Sequence, residues 1–455
     1  MRKGVVRVGS SWLVAGAVLV AVIVAVSVGF AAAAPARHRG HLRFVAAVGP
    51  VRRAALPTGP PHWVASWSAA PTAPTPNTLG AAGFSNQTVR NIVYTSAGGT
   101  KVRVLVTNAF GTRSLDVGHA AIAVRGTGAA TDPEIPLTFR HRRSVVIKPG
   151  AAVLTDPVAL RVQPFQQLAV SVFLPRATGP ATEHAVAQQV NYMARGDHVL
   201  DPGGASFTTK TFSWYYVASV DVLAPARDLG TLVGFGDSIT DGVNSGTNTN
   251  ARWPNDLARR LHPRTGDTLS VVDEGIGGNR LLNTAPCCGV SALARFKRDV
   301  LHRAGIREVI LLEGVNDIDQ SQHTGASSAP HDDISAAQII AGYRRLISEA
   351  HAAHLRIFGA TVLPFRGARY WTPAGEAKRE AINDWILHGG AFDGVIDFSH
   401  AVADAGVPTM LDPAYDSGDH LHPNRRGYQA MANAIDLSML RSGALSAETA
   451  RSRTR

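Results

Sequence analysis

Cysteine is scarce in this sequence: among 455 residues there are only Cys287 and Cys288, and they are adjacent. Two neighbouring cysteines cannot build a disulfide framework, and their spacing matches no zinc-binding pattern. They could form a vicinal disulfide or remain two thiols. The fold must therefore be stabilised by hydrophobic cores. A hydrophobic content of 45% over this length is enough for two folded domains.

Acidic residues are also few, which leaves a formal net charge of +11. The basic residues are scattered and partly terminal, at residues 37–43 and 451–455. Nucleic-acid-binding proteins concentrate their basic residues in a patch, so no nucleic-acid partner is expected. Attraction to an anionic cell surface or polymer, or simply solubility, explains the charge better.

The one long hydrophobic run lies at the amino terminus. Basic residues precede an apolar run at residues 12–30, and small residues follow at 31–36. This order predicts a secretory signal, with cleavage after Ala34 or Ala36, and therefore an extracellular protein. The run approaches the ~20 residues that span a bilayer, so an uncleaved membrane anchor is the alternative. Contact with a membrane is expected only in that second case.

Residues 37–62 are rich in Ala, Pro, Arg and His without sustained periodicity, and they are predicted to be a linker. From 63 to 226 short β-type runs alternate with Gly, Pro, Asn and Asp. Strands are expected at 88–94, 101–107, 120–124, 144–147, 167–173 and 214–223. The absence of an amphipathic helix predicts an all-β accessory domain, a sandwich or jelly roll.

Residues 227–443 have a different rhythm, in which strand, loop and helix alternate. Short apolar runs occur at 231–235, 269–273, 308–312, 356–361 and 395–398, with helical stretches at 253–261, 291–301, 336–354, 374–388 and 425–440. This alternation predicts an α/β domain with a parallel sheet covered by helices on both faces. Residues 444–455 form a basic tail. The chemistry of such a domain is expected beyond the carboxyl ends of its strands.

Polar and glycine-rich segments follow the first three of these strands. Ser238 lies in a glycine-flanked turn at 236–242, where it could be a nucleophile or the N-cap of the next helix. The cluster at 275–280 could point a backbone N–H at a ligand, cradle a phosphate or only form a turn. Asn316 offers a side-chain amide at the same edge of the sheet, although it could equally be a turn residue.

A fourth segment, 416–424, precedes the last predicted helix and contains two histidines. An imidazole is suited to accept a serine proton near neutral pH. A carboxylate three residues before His422, that of Asp419, could orient the ring and stabilise the imidazolium. His420 competes for this role, its alternative being a surface or packing residue.

These four segments, in this order, resemble the conserved blocks of the SGNH (GDSL) hydrolases over about residues 228–441. The resemblance implies a three-layer α/β/α, flavodoxin-like domain and a serine ester hydrolase. The residues that it implies are Ser238 as nucleophile, Asp419 and His422 as its acid and base partners, and Ser238, Gly278 and Asn316 as the oxyanion hole. Its D-x-x-H pattern selects His422 over His420. One departure is Asp273, which stands where this family often has Asn.

The sequence context at 98–103, 252–254, 279–282 and 292–296 is similar to a two-domain bacterial subgroup of that family, resembling xylan-associated acyl esterases. The expected function is cleavage of short-chain or carbohydrate-linked O-acyl esters through an acyl-enzyme, with no metal and no cofactor. Alternatives are a lipase or lysophospholipase, or a polysaccharide-binding protein with a vestigial hydrolase domain. The β domain could contact a polysaccharide or cell surface. Trp63, Trp67 and Trp214 could stack on sugars or pack in a core.

Overall fold

A computed structural model of the chain describes residues 59–262 and 268–440. The predicted signal or anchor (1–36), the basic tail (444–455) and residues 37–58 of the predicted linker lie outside the described residues. Strand β1 begins at His62, which is the last residue of that predicted linker. We call residues 59–227 the β part and residues 228–440 the α/β part; both belong to one compact unit.

The β part consists of short strands and one helical turn. Its elements are β1 His62–Ser68, α1 Leu79–Ala82, β2 Gln87–Tyr94, β3 Gly99–Thr107, β4 Leu115–Val117, β5 His119–Val124, β6 Ile135–Pro136, β7 Val145–Ile147, β8 Ala152–Leu154, β9 Val158–Val162, β10 Gln167–Leu174, β11 Glu183–His184, β12 Asn191–Arg195, β13 Thr209–Thr211, β14 Trp214–Tyr215 and β15 Val217–Ala224. The strand predicted at 214–223 is divided into β14 and β15, because Tyr216 between them adopts a left-handed backbone conformation with φ 61°.

Two large antiparallel sheets form most of the β part, and the two-stranded pairs β11-β14 and β4-β7 complete it. One has the order β1-β15-β3-β8, with β9 also paired to β3, and the other has the order β13-β12-β2-β10-β5-β6. Their inner faces share a core of Val, Leu and Ile side chains, such as Val104, Val170 and Val220, which are fully buried. The predicted β-sandwich is therefore confirmed.

The α/β part begins where the rhythm of the sequence changes. Its elements are β16 Asp228–Gly236, α2 Ser238–Asp241, α3 Trp253–Leu261, β17 Thr268–Gly275, α4 Ala292–Phe296, β18 Ile306–Leu312, α5 Val315–Ile318, α6 Ala336–Ala352, β19 Arg356–Ala360, α7 Pro373–His388, β20 Gly394–Ile396, α8 Phe398–Val402 and α9 Arg425–Ala434. A π-helical turn at Lys297–Leu301 and 3₁₀ turns at Gln320–Gln322 and Ala326–Ser328 complete it.

The sheet of the α/β part is wholly parallel and has the order β17-β16-β18-β19-β20. Helices α3, α8 and α9 pack together, and α4, α6 and α7 form a second group. This confirms the predicted α/β/α architecture with its flavodoxin-like strand order. Gly236 pairs with Gly275 on one side and with Leu312 on the other, so the loops after β16, β17 and β18 begin at one level.

Several predicted elements of the α/β part end a few residues from the predicted position, and two of them have a visible cause. The strand predicted at 395–398 stops at Ile396, because Asp397 caps α8 by accepting a hydrogen bond from the His400 amide (3.0 Å). The helix predicted at 425–440 is interrupted after Ala434: residues 435 and 436 are not helical, and residues 437–440 are helical again. The Arg260 guanidinium donates to the carbonyl of Ile435 (3.0 Å) and also to that of Ala432, which satisfies backbone acceptors at this helix end.

The β part packs directly on the α/β sheet through β1. The Ala65 amide donates to the carbonyl of Ala304 (3.0 Å), and the hydroxyls of Ser96 and Ser270 are 3.0 Å apart. The rings of Trp67 and Trp214 meet edge to face with centroids 5.0 Å apart, and both are buried. These two tryptophans are therefore core residues, and the idea that they stack on sugars is wrong.

Among the described residues no helix is both long enough and apolar enough to cross a membrane.

Candidate active site

Ser238 is the first residue of α2, directly beyond the end of β16. The N-cap of this helix is Asp237, whose Oδ1 accepts a hydrogen bond from the Ile239 amide (2.9 Å). The Ser238 hydroxyl is therefore not needed as a cap and is available to other partners. Glycine is required two residues before it, since a Cβ on Gly236 would lie 2.1 Å from the Leu312 carbonyl oxygen.

The Ser238 hydroxyl meets the imidazole of a residue 184 positions later. Its Oγ lies 2.9 Å from Nε2 of His422, and Nδ1 of the same ring lies 2.7 Å from Oδ2 of Asp419. Ser238 is buried and His422 keeps 15% of its side chain exposed, so the pair is reachable from solvent at one side. The structure thus joins the three predicted residues in one hydrogen-bonded chain, an arrangement that can transfer the serine proton to the ring.

His420 is held away from this chain by its own carboxylate. Its Nδ1 lies 2.6 Å from Oδ2 of Asp416, whose Oδ1 also accepts from the amides of Gly418 (2.8 Å) and His420 (3.1 Å). Two Asp–His pairs therefore occur side by side, and only the pair Asp419–His422 reaches Ser238.

Asp419 is held in its ionised form. Burial opposes ionisation, but the hydrogen bonds from the His422 ring and from the amides of His422 and Leu421 outweigh it and lower the pKa of Asp419. Asn244 also donates to Oδ2 of Asp419 (3.2 Å), which fixes the carboxylate from a second side. A charged carboxylate so placed stabilises an imidazolium on His422.

Gly278 lies in a turn that is closed by a hydrogen bond from the Asn279 amide to the Ile276 carbonyl (3.0 Å). Its φ is +73°, a conformation that favours glycine. A Cβ at Gly278 would lie 2.7 Å from Sγ of Cys288, which is joined to Cys287 in a vicinal disulfide. Of the two states left open by the sequence, the structure has the disulfide, and it packs on the turn of Gly278.

The Asn316 side chain is tied to that same turn. Its Nδ2 donates to the carbonyl of Asn279 (2.8 Å), which uses one of its two amide hydrogens. The other hydrogen has no acceptor within the part of the chain that the structure describes and can serve an oxyanion. Asp317 accepts from the amides of Leu281 (2.7 Å) and Leu282 (2.9 Å). The loops that carry Gly278 and Asn316 are thus held together by buried hydrogen bonds.

Arg295, whose role sequence reasoning missed, lies buried beneath these loops. Its guanidinium donates to the carbonyls of Gly236 (2.7 Å) and Glu274 (2.7 Å) and to Oδ1 of Asn279 (2.8 Å). One side chain therefore secures the end of the strand before Ser238 and the turn after β17. The only local signal was an arginine between apolar residues at 292–296.

The β part contributes a second set of buried polar groups next to α2. His184 contacts Asp241 (Nε2 to Oδ1, 3.1 Å), and Arg252 donates to the Ala187 carbonyl (2.6 Å). Together with Asp273 they border a cavity of about 20 Å³ between the two parts. This volume is sufficient for one water molecule.

Asp273, the predicted departure from the family pattern, lies in this set. Its Oδ1 accepts from the Gly275 amide (2.8 Å), whereas its Oδ2 lies 3.6 Å from Nε of Arg252 and has no hydrogen-bond partner within the described ranges. Burial raises its pKa to about 7, against the opposing charge of Arg252. Asp273 can thus carry a charge where an asparagine could not, which agrees with the difference in pKa that the sequence suggested. It does not contact Ser238.

Comparison with known proteins relates the α/β part to a family of hydrolases. Residues 235–430 match the GDSL-like lipase/acylhydrolase family. An acetyl xylan esterase from Geobacillus stearothermophilus is 22% identical, with a TM-score of 0.35, over 46% of this chain and 94% of its own. A GDSL-like lipase from Bacteroides thetaiotaomicron is 19% identical, with a TM-score of 0.33, over 47% of this chain and 88% of its own. No curated protein matches the sequence.

Proposed function

We propose that this chain, in which residues 235–430 form a GDSL-like lipase/acylhydrolase domain, is an exported serine hydrolase of short-chain or carbohydrate-linked O-acyl esters. The observation that carries the proposal is the contact of 2.9 Å between the Ser238 hydroxyl and Nε2 of His422. A serine is a weak nucleophile unless a neighbouring base takes its proton, and this geometry supplies that base.

The reaction has two halves. His422 accepts the proton of Ser238 as Oγ attacks the acyl carbonyl carbon, and the ester C–O bond then breaks while the alcohol leaves with the proton from His422. Water next attacks the acyl-enzyme, His422 takes its proton, and the acid departs as Oγ recovers a proton. Asp419 stabilises the imidazolium during both halves.

The oxyanion of each tetrahedral intermediate would be held by three donors: the amides of Ser238 and Gly278 and the side chain of Asn316. The free hydrogen on Nδ2 of Asn316 and the turn conformation of Gly278 support this assignment. Donors fixed by buried hydrogen bonds need no reorganisation when the charge develops.

A small acyl group suits the site better than a long chain. The exposed large hydrophobic side chains of the described residues are Leu79, Val146, Leu154, Leu200, Phe212, Val395 and Val407. None belongs to the segments that carry the candidate catalytic residues, so these segments offer no exposed apolar strip for a long acyl chain. This favours an esterase over a lipase or lysophospholipase. The intact hydrogen-bonded chain from Ser238 to Asp419 argues against a vestigial hydrolase.

Export rests on the order of basic, apolar and small residues in the first 36 positions. An enzyme outside the cell would meet acylated polymers, and contact of the β part with a polysaccharide is included in the proposal.

The test is hydrolysis of p-nitrophenyl acetate, butyrate and octanoate by the parent and by Ser238→Ala, His422→Ala and His420→Ala. We expect the first two variants to lose activity by at least about 10³-fold. His420→Ala, a matched change two residues away, should keep activity within about tenfold. Rates that fall from acetate to octanoate support the esterase. Unchanged activity in Ser238→Ala would refute the mechanism.

A further inference from the structure

A cleft of about 820 Å³ opens on the surface of the β part, and none of the candidate catalytic residues lines it. Its volume lies within the ~300–1,000 Å³ typical of ligand-binding clefts. The lining includes three arginines, Arg140, Arg142 and Arg176, and several apolar residues, among them Phe139, Val146 and Pro175. We call it the arginine cleft.

Positive charge dominates the arginine cleft. Asp116 is the single acidic residue in its lining, and it is paired with Arg176 at 3.2 Å. The side chain of Arg176 is nevertheless 81% exposed, and Arg140 and Arg142 are exposed as well. Three guanidinium groups against one carboxylate leave an excess of two positive charges that face solvent. The linear sequence gave no sign of this grouping, because Arg176 lies far along the chain from the other two.

The turn that carries Arg140 is held in a costly conformation. Phe139 and Arg142 exchange backbone hydrogen bonds (2.8 and 3.1 Å), while Arg140 and His141 between them have φ of 51° and 65°. Two left-handed residues in a two-residue turn normally require Asn-Gly or similar pairs, since a side chain there is strained.

Hydrogen bonds to Asp156 stabilise this strained turn. Its carboxylate accepts from the amides of Arg140 (3.2 Å) and His141 (2.6 Å) and from the Thr138 hydroxyl (2.6 Å). The turn therefore has large basic side chains at positions whose backbone conformation favours glycine, and the hydrogen bonds to Asp156 hold it in that conformation. Strain retained in this way points to a role for the side chains themselves.

We propose that the arginine cleft binds a carboxylate-bearing polysaccharide, a chain that contains uronic acid residues. A guanidinium group matches a carboxylate with two parallel hydrogen bonds. The exposed apolar surface beside it, above all Val146 at 62% exposure, suits the C–H faces of sugar rings. The sole aromatic residue of the lining, Phe139, is buried, so no ring is offered to stacked nucleic-acid bases.

The binding site stands independently of the hydrolase chemistry, whereas its contribution to turnover rests on the proposed function. A polymer held on the β part would raise the local concentration of its acyl groups at Ser238. A soluble ester without a polymer would gain nothing from the arginine cleft.

Binding is tested first, with the full chain carrying Ser238→Ala so that no turnover interferes. Calorimetric titration with polygalacturonate is compared with titration of neutral xylan. The variant Arg140→Gly/Arg142→Ala should weaken polygalacturonate binding by about tenfold, and raised salt should weaken parent binding. Glycine adopts the φ of residue 140 without strain, so this variant should melt no earlier than the parent. The matched control Arg195→Ala/Lys210→Ala removes two exposed charges elsewhere on the β part and should change affinity by less than twofold.

Equal affinity in the cleft variant and the parent would overturn the proposal. So would parent binding to phosphatidylglycerol vesicles or single-stranded DNA without binding to polygalacturonate. The second arm uses active protein: on acetylated polygalacturonate the cleft variant should lose about tenfold in kcat/KM, with p-nitrophenyl acetate unchanged. If the parent hydrolyses neither ester, the proposed function fails while the binding result stands.

Discussion

The Nε2 atom of His184 lies 3.1 Å from Oδ1 of Asp241, which links the β part to the short helix that begins at Ser238. The other ring nitrogen, Nδ1, lies 3.0 Å from the Ala70 carbonyl. The Ala70 carbonyl can only accept, so Nδ1 donates to it, and the Asp241 carboxylate beside Nε2 favours the protonated, positively charged ring. Burial lowers the pKa of His184, but the neighbouring Asp241 outweighs burial and raises it.

His184→Ala should destabilise the protein by about 3 kcal/mol, because it leaves the buried carboxylate of Asp241 without this partner. His184→Gln keeps one donor and should cost less. Since the pKa of His184 is raised in the folded state, its stabilisation is fully present below pH 6.5 and is lost as the pH rises through the raised pKa. Urea unfolding at pH 5.5 and pH 8.5 measures both effects.

The exposed His388→Ala serves as control and should change the free energy of unfolding by less than about 0.5 kcal/mol. A similar small change in His184→Ala would show that the contact with Asp241 does not stabilise the fold.

Asp273→Asn should make stability less dependent on pH. The pKa of Asp273 is raised to about 7 by burial, so the folded state keeps the proton longer than the unfolded state, and stability falls as the pH rises from about 4 to 8. The amide still accepts from the Gly275 amide. The pKa of Asp273 rises from 3.8 to about 7, and each pKa unit corresponds to about 1.4 kcal/mol, so a gain of about 4 kcal/mol over the parent is expected at pH 8 and almost none at pH 4. A loss at pH 8 would show that the charge of Asp273 is needed by Arg252.

Gly278→Ala should lower kcat by about 10²-fold, because the new Cβ meets the Cys288 sulfur and shifts an amide assigned to the oxyanion hole. Gly277→Ala is the matched control, as its Cβ would have no neighbour nearer than 3.9 Å. Introducing Cys287→Ala/Cys288→Ala should restore part of the activity of Gly278→Ala by removing the clash. Equal rates for the two glycine variants in p-nitrophenyl acetate hydrolysis would exclude this role for Gly278.

Asp419→Asn should reduce kcat by about 10³-fold or more, since an amide can no longer stabilise an imidazolium on His422. Asp416→Asn removes the carboxylate of the neighbouring pair, which does not reach Ser238, and should cost less than tenfold. The two substituted residues lie three positions apart in the same loop, so steady-state kinetics on p-nitrophenyl acetate compares the two variants directly. A larger loss in Asp416→Asn would assign the base to His420 instead.

Sequence patterns were sufficient wherever the information is local. The alternation of strands and helices predicted the parallel sheet, because burial on both faces leaves apolar runs of characteristic length. The spacing of Asp419 and His422 predicted their contact, since three residues of a loop can bring a carboxylate to the ring. Ser238 was placed correctly at the end of β16 for the same reason, while its hydrogen bond to His422 required the packed sheet.

Local patterns predicted element ends less well. The helix predicted to extend to residue 440 is interrupted after Ala434, where the distant Arg260 satisfies carbonyls at the break, and residues 437–440 are helical again. The predicted strand at 214–223 is interrupted by the left-handed Tyr216. Tertiary contacts decide where these elements end, and the hydrophobic periodicity of the sequence carries no information about those contacts.

The sequence by itself determined the order of the folded parts, the position of Ser238 at the end of β16 and the three-residue spacing of Asp419 and His422. Only the tertiary structure decided that Cys287 and Cys288 are bonded against Gly278, that Arg295 ties two loops together, that His184 supports α2, and that Arg176 joins Arg140 in one cleft. In each of these cases the surroundings of a side chain depend on residues distant in the chain or on a backbone conformation that its neighbours fix. Their proximity arises from the packing of two sheets and their loops, which depends on the shape of the whole core rather than on any local run of residues.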